Sequence, residues 1–266
     1  MYINKKSYHC HSTHSDGKSP MEDMIKNAIN IGMSEIGISD HFTYMHGGTM
    51  EFFIRSLDNL KAYVDDIETY KEKYKNDIKI FKGLEVDFKH EDECYKALEI
   101  IKKETRLDYM FGSIHYVDDT NTYLPRCSAK NLSNEEKADL WKKYWSYMKK
   151  ITEVELFDFI AHPDLIKYIS IDNFDCYKED IDEALEGFVK NKKVIEFNSK
   201  CFFNHSNHKI SNGMESLSSY VISQALEKKI ALTVNDDAHH IDQQCWSFDR
   251  AEEYLSQFKN IKRFSL

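Results

Sequence analysis

Short apolar runs rich in β-branched and aromatic residues alternate with longer stretches of helical spacing along the whole chain. The runs predict seven strands, over residues 8–11, 35–39, 79–86, 109–114, 157–161, 194–197 and 231–234. Most lack clean alternation of apolar and polar positions, as expected of strands buried on both faces of a parallel sheet. Helices are predicted between them, over 21–31, 57–74, 92–103, 134–154, 180–191 and 216–228. Within the second, Leu57, Leu60, Val64, Ile67 and Tyr70 recur at helical spacing with Lys and Asp between them, a stripe that faces a core. Ser19-Pro20 marks the start of the first helix, with Ser as cap and Pro in the first turn. Regular strand–helix alternation predicts an α/β fold on parallel strands. No compositional break marks a linker, so residues 1–266 are expected to form one domain.

Composition narrows the function classes. A net charge of −9 leaves no general basic surface for a nucleic-acid backbone. No apolar run is long enough to span a bilayer, and residues 1–6 lack an apolar signal region, so a cytoplasmic protein is expected. The six cysteines form no C-x-x-C pair, which argues for reduced thiols rather than a zinc knuckle or a redox dithiol. Neither a G-x-G-x-x-G nor a Walker phosphate loop is present. A homodimer is compatible with the chain.

The histidines carry the chemistry. His9 and His11 are two apart on the first predicted strand, so their imidazoles share a face, and Asp16 follows in the turn after it. His41, Glu85, His115 and His162 stand at or near the ends of the next four strands, and Asp237 and His239 follow the seventh. In a parallel barrel these strand ends converge on one rim. Six histidines and three carboxylates gathered there are costly to bury without counter-charge, which metal cations would supply. His14 is an alternative to Asp16, which is preferred. His46, His90, His205, His208 and His240 read as solvated loop residues, with substrate contact by His205, His208 or His240 as the alternative. Trp141, Tyr144, Trp145 and Met148 make a helical stripe that reads as core. Asp40 and Asp164 either orient ligands or cap turns.

The run His9-Cys10-His11-Ser12-Thr13-His14-Ser15-Asp16-Gly17, with Ser39-Asp40-His41, Gly83-Leu84-Glu85, Gly112-Ser113-Ile114-His115, Ala161-His162-Pro163 and Asp237-Ala238-His239, resembles the polymerase and histidinol phosphatase (PHP) family. Within it the chain is most similar to the histidinol-phosphate phosphatases. The resemblance implies a distorted seven-stranded (β/α) TIM-like barrel with three divalent ions (Zn, Mn or Fe) at the C-terminal ends of the strands. It implies that His9, His11, Glu85 and Asp237 hold the first ion, that Glu85 bridges to a second held by His115 and His162, and that Asp16, His41 and His239 hold the third. Glu85, Asp237 and His239 are thereby the candidate catalytic residues.

The implied reaction is hydrolysis of L-histidinol phosphate by a metal-bridging hydroxide, without a phosphoenzyme. The alternatives are another phosphorylated metabolite or a nucleic-acid phosphodiester, the latter disfavoured by charge. Family phosphatases often carry an Arg after the sixth strand, whereas this chain has Asn198-Ser199-Lys200-Cys201-Phe202-Phe203-Asn204-His205. Lys200, His205, Lys209 or Arg126 is left to contact the phosphate. Asp118, Asp119 and Tyr123 could wall a pocket for a cationic amine.

Overall fold

A computed structural model describes residues 5–42, 56–89, 92–118, 120–122, 132–169, 171–203 and 214–266. In chain order the elements are β1 (Lys6–Ser7), α1 (Met21–Asn30), β2 (Glu35–Ile38), β3 (His41–Phe42), α2 (Leu57–Lys73), β4 (Lys79–Lys82), β5 (Glu85–Asp87) and α3 (Asp92–Glu104). There follow β6 (Phe111–Ser113), β7 (Tyr116–Val117), β8 (Thr120–Asn121), α4 (Asn134–Ile151), β9 (Phe159–Ile160), α5 (Lys178–Asn191), β10 (Val194–Asn198), α6 (Ser199–Phe203), α7 (Met214–Glu227), β11 (Leu232–Asn235) and α8 (Phe248–Leu255).

Helix boundaries follow local chemistry. Ser133 and Glu136 form a reciprocal capping box at α4, and Ser56 caps α2 through the Asn59 amide. Trp141, Tyr144, Trp145 and Met148 are buried on α4, as the stripe predicts. α5 ends at Lys192 in left-handed backbone. Ser19 does not cap α1: its hydroxyl accepts from the Ile241 amide at 3.4 Å, while Pro20 stands at the cap.

The strands are parallel, but they do not form one seven-stranded sheet. β1-β2-β4 make a three-stranded sheet, β11-β10-β9-β6-β5-β3 a six-stranded one, and β7-β8 a separate antiparallel hairpin. The predicted second and third strands are each divided between the two sheets, at Ser39-Asp40 and at Gly83-Leu84. Across that break the Gly83 amide still donates to Ile38 (2.8 Å) and the Glu85 amide to Asp40 (3.1 Å). Tyr63 occupies the break, its hydroxyl 2.8 Å from the Gly83 carbonyl and accepting from the Asp40 amide at 3.3 Å. A side chain on Gly83 would overlap the Tyr109 ring, whose hydroxyl donates to the Tyr8 carbonyl, so Gly is required there. The first predicted strand also differs. Regular pairing falls on Lys6–Ser7, and His9 and His11 lie in its continuation, which meets the chain after β11 through a parallel bridge between Cys10 and Ala238.

Two apolar clusters support this frame. The larger packs the sheets against the helices. The smaller joins Tyr8, Phe81, Tyr109, Phe111, Phe159, Ala161 and Val194, and the C-terminal Phe264 and Leu266 pack against it. The terminal segment is tied down where the Leu232 amide donates to Lys262 and the Phe264 amide to Leu232, both at 2.9 Å. Among the described residues, no helix is long and apolar enough to cross a membrane.

Candidate metal centre

Glu85, at the start of β5, is fully buried and lies in register with His41 of the neighbouring β3. Its two oxygens face different histidines. Oε2 is 3.0 Å from His9 Nε2, 3.0 Å from His41 Nδ1 and 3.5 Å from His11 Nε2. Oε1 is 3.0 Å from His162 Nε2 and 3.7 Å from His115 Nε2. One carboxylate therefore touches five imidazoles delivered by four chain segments.

Asp237 and Asp16 extend the cluster. Asp237 Oδ1 lies 3.1 Å from His11 Nε2 and 3.4 Å from His239 Nδ1. Asp16 Oδ1 lies 3.3 Å from His239 Nε2, 3.7 Å from His41 Nε2 and 3.9 Å from His11 Nδ1. All nine expected ligands are thus brought together. They fall into four overlapping sets whose donor atoms lie within 4.8 Å of one another: His11, Asp16, His41 and His239; His9, His162 and Asp237; His9, His11 and Glu85; and His41, Glu85 and His115.

The charge pattern is polarised. Burial works to raise Glu85, but the His41, His9 and His115 rings outweigh it and hold the carboxyl well below its usual range. Burial likewise opposes a charge on His9, yet Glu196, Glu85 and Asp237 raise that ring well above its usual value. His11 goes the other way: burial, then His239 and His41, push it well below. Neither ring nitrogen of His11 has a hydrogen-bond partner, although both face carboxylate oxygens. An imidazole lone pair aimed at a carboxylate is repulsive unless a cation lies between, so the donor set fits divalent ions held by nitrogen and oxygen ligands.

The remaining expectations divide. Lys200, on α6, lies 3.4 Å from Asp237 Oδ2 and 3.3 Å from His239 Nδ1, so it does reach the centre. Arg126, His205 and Lys209 lie outside the described residues, as do His46, His90, His208, Asp119 and Tyr123. His14 turns away to Asp66 at 2.9 Å, and His240 contacts Asp242. Asp118 pairs with Lys143 and Tyr147. Asp40 accepts from the Ser12 amide and from the Ser12 and Ser15 hydroxyls, shaping the loop that carries Asp16. Asp164 holds the buried Lys167 at 2.7 Å.

Sequence reasoning missed Asp87, which binds His115 Nδ1, and the network of Glu196, Asn198 and Asn235. The signal was available. Glu85 and Asp87, like Glu196 and Asn198, are polar residues two apart in otherwise apolar strands and so share a face.

A profile of the PHP domain matches residues 7–200. The chain belongs to the PHP domain family. Asp237 and His239 lie beyond the matched stretch, yet the fold returns them to the PHP residues. Among curated relatives, a probable histidinol-phosphatase of Thermotoga maritima is 26% identical over 198 residues, 74% of this chain and 70% of that protein. Another of Schizosaccharomyces pombe is 23% identical over 94% of this chain and 86% of its own. Among solved structures, the histidinol phosphate phosphatase of Lactococcus lactis, complexed with zinc, L-histidinol and phosphate, superposes with a TM-score of 0.80 at 20% identity, covering 98% of this chain and 95% of that one. At that identity the superposition speaks for a shared PHP fold.

Proposed function

We propose that this chain is a metal-dependent phosphomonoesterase that hydrolyses L-histidinol phosphate to L-histidinol and phosphate. The observation that carries it is the sharing of Glu85 among five imidazoles, an arrangement that suits a carboxylate bridging two cations. Two curated relatives described as probable histidinol-phosphatases, and a structural neighbour holding zinc, L-histidinol and phosphate, support the substrate.

In this reading the three-stranded and six-stranded parallel sheets together make a single distorted barrel domain, with the Cys10–Ala238 bridge joining one to the other. His9, His11, Glu85 and Asp237 would hold one ion, Glu85, His115 and His162 a second, and Asp16, His41 and His239 a third. Such ions supply acidity to water and positive charge against phosphoryl oxygens. The protein's own groups orient the reaction. Asp87 fixes the His115 ring through Nδ1, which leaves Nε2 facing Glu85. Lys200 brings an ammonium beside Asp237 and His239, where it meets a phosphoryl oxygen. The Ser12 and Ser15 hydroxyls donate to Asp40, so neither is aimed as a nucleophile. Water attacks phosphorus, the P–O bond to the histidinol oxygen breaks, and that oxygen leaves to be protonated.

Phosphate release measured across histidinol phosphate, other phosphomonoesters and short oligonucleotides tests the substrate. The reading expects the highest kcat/KM for histidinol phosphate. Preference for another ester would keep the reaction class and remove the substrate.

A further inference from the structure

We propose that Glu196 is a positioning residue that selects the His9 tautomer and fixes the His162 backbone, so that Nε2 of both rings is presented to the metal centre. This rests on the metal-dependent reading above.

Glu196 lies in β10, only 1% exposed, and four donors converge on it. Oε1 accepts from His9 Nδ1 at 2.7 Å and from Asn235 Nδ2 at 2.9 Å. Oε2 accepts from the His162 amide at 2.8 Å and from Asn198 Nδ2 at 3.5 Å. Every neighbour of Glu196 in this network donates to it, so His9 carries a proton on Nδ1, and Nε2, 3.0 Å from Glu85, is the nitrogen from which a cation would displace the proton. His162 has a φ of +24°, which residues with a Cβ rarely adopt. Its amide donates to the second oxygen of the same carboxylate, and its Nε2 is 3.0 Å from Glu85. Asn198 carries the network further, donating to Asp237 Oδ2 at 3.2 Å. Three segments with candidate ligands are thus referenced to one side chain.

A merely structural role and a positioning role predict opposite rankings of two variants. Glu196→Gln has the same shape but a single acceptor oxygen. The His162 amide on one side can only donate, and so can Asn235 on the other, because its Oδ1 already accepts from the Tyr8 amide, so the single Gln oxygen satisfies one side only. With the oxygen towards His162 the new NH2 faces His9 Nδ1, which must then accept, and the proton moves to the Nε2 that would ligate; with the oxygen towards His9 the NH2 faces the His162 amide and displaces that backbone, so either orientation misplaces one of the two rings. Glu196→Ala leaves space in which water can accept from both donors, so the tautomer survives. If Glu196 only fills space and satisfies partners, Gln is the milder change. If it selects the tautomer, Gln is the more severe one for metal.

The experiment compares full-length wild type, Glu196→Gln and Glu196→Ala, stripped and then titrated with zinc against a competing chelator. Zinc stoichiometry, thermal unfolding of the stripped proteins and 15N spectra of histidine-labelled, zinc-loaded wild type are recorded together. The expected result is a loss of about 10- to 100-fold in affinity for one zinc in Glu196→Gln. Glu196→Ala should lose less, the stripped Glu196→Gln protein should unfold near the wild-type temperature, and wild-type His9 should be protonated at Nδ1. Zinc binding by Glu196→Gln equal to wild type, a larger loss in Glu196→Ala, or a wild-type His9 protonated at Nε2 would overturn the inference while leaving the function reading intact. Wild-type protein that takes up no zinc would overturn both.

Discussion

Lys200 Nζ lies 3.4 Å from Asp237 Oδ2 and also donates to the Asp237 carbonyl, so the first residue with a cationic side chain after β10 is directed into the metal centre. Burial would raise Asp237, but Lys200 leads the groups that instead hold it well below the usual carboxylate range. Hydrogen bonds to charged groups contribute about 1.5–3 kcal/mol, so Lys200→Met is expected to raise KM for the phosphate ester by about 10-fold or more. Lys200→Arg keeps the charge and should recover much of that loss. Steady-state kinetics on metal-quantified protein check this, and an unchanged KM would remove Lys200 from the substrate site.

The terminal segment makes a prediction that leaves the metal centre aside. Phe264 packs edge-on to Phe159, with ring centroids 5.3 Å apart, against the smaller apolar cluster. Phe264→Ala should cost about 2 kcal/mol for this partly buried ring, or about 4–8 °C in Tm for a chain of this size. Zinc stoichiometry should not change. Calorimetry and metal analysis on the same sample test both statements.

The strand pattern and the convergence of the candidate ligands were legible in the sequence, the first from local spacing and the second from histidines and carboxylates at successive strand ends. His9 and His11 are two apart and arrive with their rings 5.0 Å apart, both facing Glu85. What was not legible depends on distant partners. The division of two strands at Ser39-Asp40 and Gly83-Leu84 is set by Tyr63 and Tyr109, which enter from other elements. Ser19 looks like a helix cap, but its hydroxyl is engaged by Ile241, far along the chain. The β7–β8 hairpin was not read from the sequence; Asp118, at its turn, has a φ of +51°. Glu196 and Asn198 carried the same two-residue spacing as the histidines, but without an imidazole between them they read as ordinary strand.

Thiol chemistry offers a separate check on the burial pattern. Burial pushes the Cys201 and Cys245 thiols up to about 12, whereas Cys176 is exposed. Raising a thiol's pKa depletes its reactive thiolate at every pH below it, leaving about one part in ten thousand at pH 8. Peptide mapping after a short maleimide pulse on native protein should find Cys176 labelled well before Cys201 or Cys245. Labelling at those two sites should quicken about tenfold per pH unit as long as the fold holds. Equal rates at all three would contradict the burial.

Chelation should cost stability, because ions that bind only the folded chain stabilise it by mass action. Each site filled at about 100 times its Kd adds about 2.7 kcal/mol, or about 5–10 °C. Thermal unfolding of stripped and zinc-reloaded protein measures this. Identical curves would contradict a folded-state metal centre.

The most direct test of the central claim is phosphate release from histidinol phosphate, with metal content read in the same samples, for wild type, Glu85→Gln and Glu85→Ala. The account predicts bound divalent ions and rapid turnover in the wild type. It predicts a loss of at least about 100-fold in kcat/KM when Glu85 is changed, with less metal retained. Turnover that survives in metal-free wild type, or that is indifferent to Glu85, would contradict it.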